Sequence, residues 1–226
     1  MTSVRVLILA MLVVIGCSSE SGSPPAGTTS GTAMAESSPD VDGFMPIDAN
    51  DLVLFHPPTE KGSLNVSQDG DSILLQGDAR GYLHSKKPYR DFTLRLDVRW
   101  PNTAELPEDE RANANTGMLV FITGADKIWP KCLEVQGKWS ELGHIKSNAK
   151  DVTVEVRDDQ AARERARKPV GEWNSLEIVA KDGALTSILN GVKIAESDPT
   201  ELREGRIGFQ AERFDVEFRN VRIREE

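Results

Sequence analysis

From Leu52 to the C-terminus the chain repeats one pattern: short runs of alternating apolar and polar side chains, separated by turn residues. Ser72-Ile-Leu-Leu-Gln76, Phe92-Thr-Leu-Arg-Leu-Asp-Val-Arg-Trp100 and Gly117-Met-Leu-Val-Phe-Ile122 have period two, which sends successive side chains to opposite faces of a strand. The pairs Asp69-Gly70, Asp182-Gly183 and Asn190-Gly191 are of the kind that takes positive φ in tight hairpins. Asp69 and Asp71 read as turn residues rather than calcium ligands, because no further carboxylate follows at calcium-loop spacing. Trp173 to Ala180, the Asn190-Gly191 hairpin, Gly205 to Gln210 and Phe214 to Ile223 form a continuous meander, so an all-β sandwich is expected. Two stretches break the rhythm. Residues 104–114 are acidic and loop-like, and residues 157–168 are a charged, helix-compatible run. In that run Arg163, Arg165 and Arg167 are interleaved with acids, as on a solvated helical face.

The N-terminus says where such a sandwich belongs. Arg5 is the only charge before an apolar run, Val6 to Ile15, too short to cross a bilayer and of the length of a signal h-region. Val14-Ile15-Gly16-Cys17 then resembles a bacterial lipobox, which predicts a lipoprotein signal peptide over residues 1–16 and acylation of Cys17. Residues 17–46 are rich in Ser, Gly, Pro and Thr and read as a tether that cannot offset the entropy of ordering. The expected location is the bacterial cell envelope, lipid-anchored, on the periplasmic or extracellular side. Residues 47–226 remain for one β-sandwich domain. The net charge of −9 becomes −10 once residues 1–16 and their single Arg are removed, which argues against nucleic acid as a partner. With Cys17 acylated, Cys132 stands alone, either as a small core residue or as a lining group beside Glu134. The three histidines show no metal-ligand spacing.

The run Trp129-Pro-Lys-Cys-Leu-Glu-Val-Gln-Gly-Lys-Trp139 carries the candidate chemistry. On a strand, Glu134 and Gln136 share one face while Leu133 and Val135 share the other. A carboxylate beside a carboxamide, with Trp129 and Trp139 near the strand ends, suits a polyol such as a sugar; a solvated strand face is the plain alternative.

Several segments, in order, resemble the 3-keto-disaccharide hydrolase domain family: Asp91 to Trp100, Asn115-Thr-Gly117, Leu133-Glu-Val-Gln136, Gly171-Glu-Trp-Asn174, Leu189-Asn-Gly191, Gly205 to Gln210 and Val216 to Ile223. The resemblance implies a concanavalin A-like jelly-roll sandwich of two antiparallel sheets, with Trp173 and Phe218 in its core and Asn190-Gly191 in a turn. It implies site residues at Asn115, Glu134, Gln136 and Gln210. This chain departs from the family pattern at Met118 to Thr123, where an Arg is common, and at Gly143-His-Ile-Lys146, where an aromatic is common.

For the family's substrate class, a carbonyl at C3 acidifies the hydrogen on C2 and lets the C1 substituent leave by elimination, which needs one base rather than a carboxylate pair. Glu134 is then the expected base and His144 the expected proton donor to the leaving oxygen. Gln136 and Asn115 hold the oxyanion or orient hydroxyls. Glu212, two residues beyond Gln210, shares its strand face as a second carboxylate or rim charge. No cofactor is expected. A divalent metal would suit an enediolate, but no ligand set here specifies one. The expected partner is an oxidised glycoside or other carbohydrate, with the membrane reached through Cys17. A sugar-binding module using the same face without chemistry is the alternative.

Overall fold

The computed structural model describes residues 39–103 and 105–226; the expected signal peptide, Cys17 and most of the expected tether lie outside them. In chain order the strands are β1 (Met45–Pro46), β2 (Leu52–Phe55), β3 (Leu64–Asp69), β4 (Ser72–Gly77), β5 (Arg80–Ser85), β6 (Phe92–Arg99), β7 (Gly117–Thr123) and β8 (Lys131–Gln136). They continue as β9 (Ile145–Ser147), β10 (Val156–Asp158), β11 (Asn174–Lys181), β12 (Ala184–Leu189), β13 (Val192–Ser197), β14 (Arg206–Glu212) and β15 (Val216–Glu225). Two short helices interrupt them, α1 (Glu108–Arg111) and α2 (Gln160–Ala166).

The strands form two antiparallel sheets. The larger runs β10-β13-β12-β11-β6-β15-β4-β3, with β1 added on β15; the smaller runs β2-β5-β14-β7-β8-β9. Alternation builds the core between them. Leu94, Leu96, Val98, Leu176, Ile178 and Phe218 from the large sheet meet Met118, Val120, Leu133, Val135, Ile207 and Phe209 from the small one. The Phe209 and Phe218 rings, 5.1 Å apart, join the layers. At Phe121, φ is +61° and the pairing register slips on both sides of β7. That bulge turns Val120 and Phe121 both into the core and puts Ile122 on the opposite face with Leu119.

The hairpin reading holds at two turns as pairs, Asp182-Gly183 at φ 50° and 84° and Asn190-Gly191 at 48° and 82°. At the third, Asp69 is still in β3 and Gly70 alone takes positive φ. Part of the family-like signature is structural. Buried Asn174 accepts from Lys168 N–H and from the Asn190 amide, each at 2.9 Å, while Asn190 also donates to the Ala166 carbonyl.

Three expectations need correction. The folded part begins before residue 47: Phe44 is 1% exposed, with the guanidinium of Arg95 4.3 Å and that of Arg224 4.8 Å from its ring centre, and Met45–Pro46 pair with β15. Glycine and proline around it made this stretch read as a tether, but an aromatic ring beneath arginines offsets the cost of ordering it. Trp173 is not core; it lies half-buried between the guanidiniums of Arg99 and Arg219, at 4.4 and 4.1 Å, on the outer side of the large sheet. The run 157–168 is helical only over Gln160–Ala166, and of its three interleaved arginines Arg165 alone is on a solvated face. Arg163 is buried and paired with Asp158, and Arg167 stacks on Trp139 at 3.8 Å.

Candidate active site

The second face of the small sheet carries the chemistry. Cross-strand register aligns Glu134 with Leu119 and with Lys146, Gln136 with Gly117, Gln210 with Tyr82, and Glu212 with Arg80. These side chains therefore project from five adjacent strands on the side away from the core. Gly137 N–H donates to the Thr116 carbonyl and Trp139 N–H to the Ala114 carbonyl, so the β7–β8 pairing continues past the start of β7 and Asn115 falls on the Gly117 side of it. Glu134 is 2% exposed, Gln210 2% and Gln136 5%, which is deep for polar groups outside the core. Three of their buried atoms have no hydrogen-bond partner among the described residues: Glu134 Oε2, Gln210 Nε2 and Asn115 Oδ1. Buried polar atoms are nearly always paired, and of the eight left unpaired among the described residues these three, with Arg80 Nε, gather around this face.

Gly117 makes the convergence possible. Its φ lies outside the left-handed region, so flexibility is not its role. A Cβ there would overlap Gln210 Oε1 and lie 2.7 Å from Glu134 Oε1. Without a side chain on β7, the carboxylate from β8 and the amide from β14 meet across it. Gly117→Ala is expected to swing both flexible ends aside, lowering kcat/KM more than tenfold while the unfolding free energy changes by about 1 kcal/mol. Steady-state kinetics and calorimetry on the same preparation check this.

Burial pushes the Glu134 carboxyl above the usual range, against the pull of Lys146, whose Nζ is 3.4 Å from Oε1. Burial likewise raises Glu212 to about 7, with Arg80 opposing at 3.5 Å and the Glu134 charge adding to the rise. Gln136 is oriented by its own turn, since its Oε1 accepts from Lys138 N–H at 2.9 Å, leaving the Nε2 donors. Cys132 lies on this face, as the lining reading had it, but burial first and the Glu134 charge second push its thiol up to about 12. It is a neutral filler that packs with Tyr82, Leu119 and Ile122.

Two expected participants are engaged by other groups. The His144 carbonyl accepts from Gln136 N–H at 2.7 Å, beside the Glu134 group, but its imidazole pairs through Nδ1 with Asp158 at 3.0 Å, toward the strand that extends the large sheet, and Asp158 also holds Arg163. Trp139 donates Nε1–H to the Lys168 carbonyl, and its ring is covered by Arg167. Trp129 is different: it stays 44% exposed in the loop between β7 and β8. Asp126 ties that loop over the same sheet face, accepting from Tyr82 Oη at 3.1 Å and from Arg206 at 2.7 Å.

Lys146, Arg80 and Gly117 were not read from sequence. β9 is three residues long, too short for alternation to show a face, and only its pairing places Lys146 against Glu134. Among the described residues no three His, Cys, Asp or Glu side chains are grouped to hold a metal ion.

An antiparallel two-sheet sandwich with a polar site on the open face of one sheet is a concanavalin A-like jelly roll. The profile of the 3-keto-alpha-glucoside-1,2-lyase-like domain matches residues 44–224, and the chain belongs to this family. Two crystal structures of Parabacteroides distasonis ATCC 8503 proteins, designated candidate glycosyl hydrolases, share the fold at 20% identity each. One has a TM-score of 0.51 over 73% of this chain and 93% of its own; the other has 0.52 over 79% and 90%. No curated protein matches the chain.

Proposed function

We propose that the protein cleaves 3-keto-glycosides by elimination, with Glu134 as the base. The observation that carries this reading is the buried carboxylate Oε2 left unpartnered on a face where Gln210 Nε2 and Asn115 Oδ1 are also unpartnered. Glu134 takes the C2 proton, the electrons pass to the C3 oxygen, and their return forms the C1–C2 double bond as the C1–O bond breaks. Glu212, raised to about 7 and so increasingly protonated below neutral pH, gives its proton to the departing oxygen in the role expected of His144. Addition of water runs the same two groups in reverse: Glu212 accepts the water proton as oxygen attaches to C1, and Glu134 returns its proton to C2. Gln136, Gln210 and Asn115 orient hydroxyls, and Trp129 offers an open ring for a second sugar to stack on. A lipid on Cys17 would hold the domain at the cell envelope.

The test incubates the purified protein with 3-keto-trehalose and with trehalose while reducing sugar is followed. Release from the keto form alone is expected. Equal release from both would sink the elimination reading, and tight binding of either without turnover would make the domain a sugar-binding module.

A further inference from the structure

We propose that Lys146 is a catalytic residue of this chain, its ammonium receiving the negative charge that leaves Glu134 and appears on the C3 oxygen as the C2 proton is taken. The inference rests on the 3-keto-glycoside reading and assigns the step that reading leaves without a counter-charge.

Position comes first. Lys146 sits directly opposite Glu134 in the β8–β9 register, with Nζ 3.4 Å from Oε1. The Lys146 side chain is 39% exposed and that of Glu134 3%, so the ammonium stands between solvent and the carboxylate. For Lys146 to act, the carbonyl oxygen beside the carbon that gives its hydrogen to the Glu134 carboxylate must come within reach of Nζ. As the proton moves, charge shifts from the carboxylate to that oxygen, which is bonded to C3, the carbon next to C2. A cation beside the carboxylate follows it over a short distance with little reorganisation, the condition under which fixed charges lower a barrier.

The other charged groups around the pair do not fill this role. Glu141 and Glu212 are acids, and the Cys132 thiol is neutral and adjacent to Glu134 on its own strand. Arg80 is engaged by Glu212, and Arg213 by Glu60 at 2.8 Å. Among the described residues Lys146 is the cation paired with Glu134. It also opposes the effect of burial on Glu134 and so favours the ionised form of the base. In the step the C2–H bond breaks, its proton bonds to Glu134, its electrons form the C2–C3 double bond and the C3=O π pair moves onto the oxygen; Lys146 neither gives nor takes a proton.

The experiment reads C2 exchange separately from bond cleavage. The probe is 3-keto-1,5-anhydroglucitol, which has no leaving group at C1, followed by proton NMR in D₂O. Wild-type protein is expected to exchange the C2 hydrogen. Lys146→Met is expected to slow exchange roughly 10²–10³-fold and to move the acid limb of the pH–rate profile upward, because Glu134 without its cation takes up a proton at higher pH. Lys146→Arg, which keeps the charge, is expected within about tenfold of wild type, which controls for misfolding of the Met variant. Wild-type exchange with an unchanged rate and pH profile in Lys146→Met overturns the role of Lys146 and leaves Glu134 as base. No exchange by the wild type above the buffer rate overturns the elimination reading and this proposal with it.

Discussion

Glu134→Gln is expected to lower the rate of cleavage of a 3-keto-glycoside by roughly 10²–10⁴-fold, the range a positioned general base contributes. The substitution keeps the side chain's shape, so the meeting with Gln210 across Gly117 is preserved and only the proton acceptor is lost. Stability is expected to move the other way. A 2%-exposed carboxylate whose carboxyl is raised by burial destabilises the native state in its charged form, and a neutral amide does not. Unfolding at pH 7 should therefore give an unchanged or higher midpoint for the variant, while C2 exchange falls to background. A variant that keeps wild-type cleavage would remove Glu134 from the chemistry.

Glu212→Gln is expected to separate the two halves of the reaction. With the proton donor gone, cleavage of a sugar aglycone should fall roughly 10²–10⁴-fold, while a nitrophenyl 3-keto-glycoside, whose leaving oxygen needs no proton, should lose far less. C2 exchange should persist. The same residue sets a pH dependence of stability. Its ordinary value is 4.5 and its native value about 7, raised by burial. Below pH 4.5 both folded and unfolded forms are protonated and the stability is fully present. Between 4.5 and 7 the unfolded chain releases the proton first, so stability falls as pH rises and the loss is complete above about 7. The span corresponds to about 3 kcal/mol at 1.36 kcal/mol per unit. Glu212→Gln should flatten this part of the curve and unfold later than wild type at pH 8; identical pH–stability curves for the two proteins would show that the carboxyl is not held in this way. Activity in the wild type should also decline above about pH 7 as the donor ionises.

How far the site was legible in the sequence follows from the reach of each signal. Glu134 and Gln136 were paired because a strand of period two puts i and i+2 on one face, and β8 is long enough to show it. Gln210 and Glu212 were paired on β14 for the same reason. Asn115 is placed by the resemblance alone; in the structure its Oδ1 is buried without a partner among the described residues. His144 lies opposite Gln136, as its nearness in sequence suggests, but sequence proximity says nothing of the Asp158 that holds its ring. Trp139 was misassigned because an aromatic near a strand end looks the same whether open, as Trp129 is, or covered by a guanidinium. Phe44 was lost in a Gly- and Pro-rich stretch because its partners Arg95 and Arg224 lie far along the chain on β6 and β15.

The amino-acid order by itself determined the strands, their inward and outward faces and most of the hairpins, since alternation and turn chemistry act over a few residues. It also determined that two carboxylates and two amides, Glu134 with Gln136 and Glu212 with Gln210, would stand in pairs on strand faces. Only the tertiary structure decided that those faces are neighbours, that Gly117 leaves room between them, and that Lys146 stands against the buried Glu134. Those relations depend on which strands pair and in what register, and pairing is settled by the packing of two whole sheets against one core rather than by any local run.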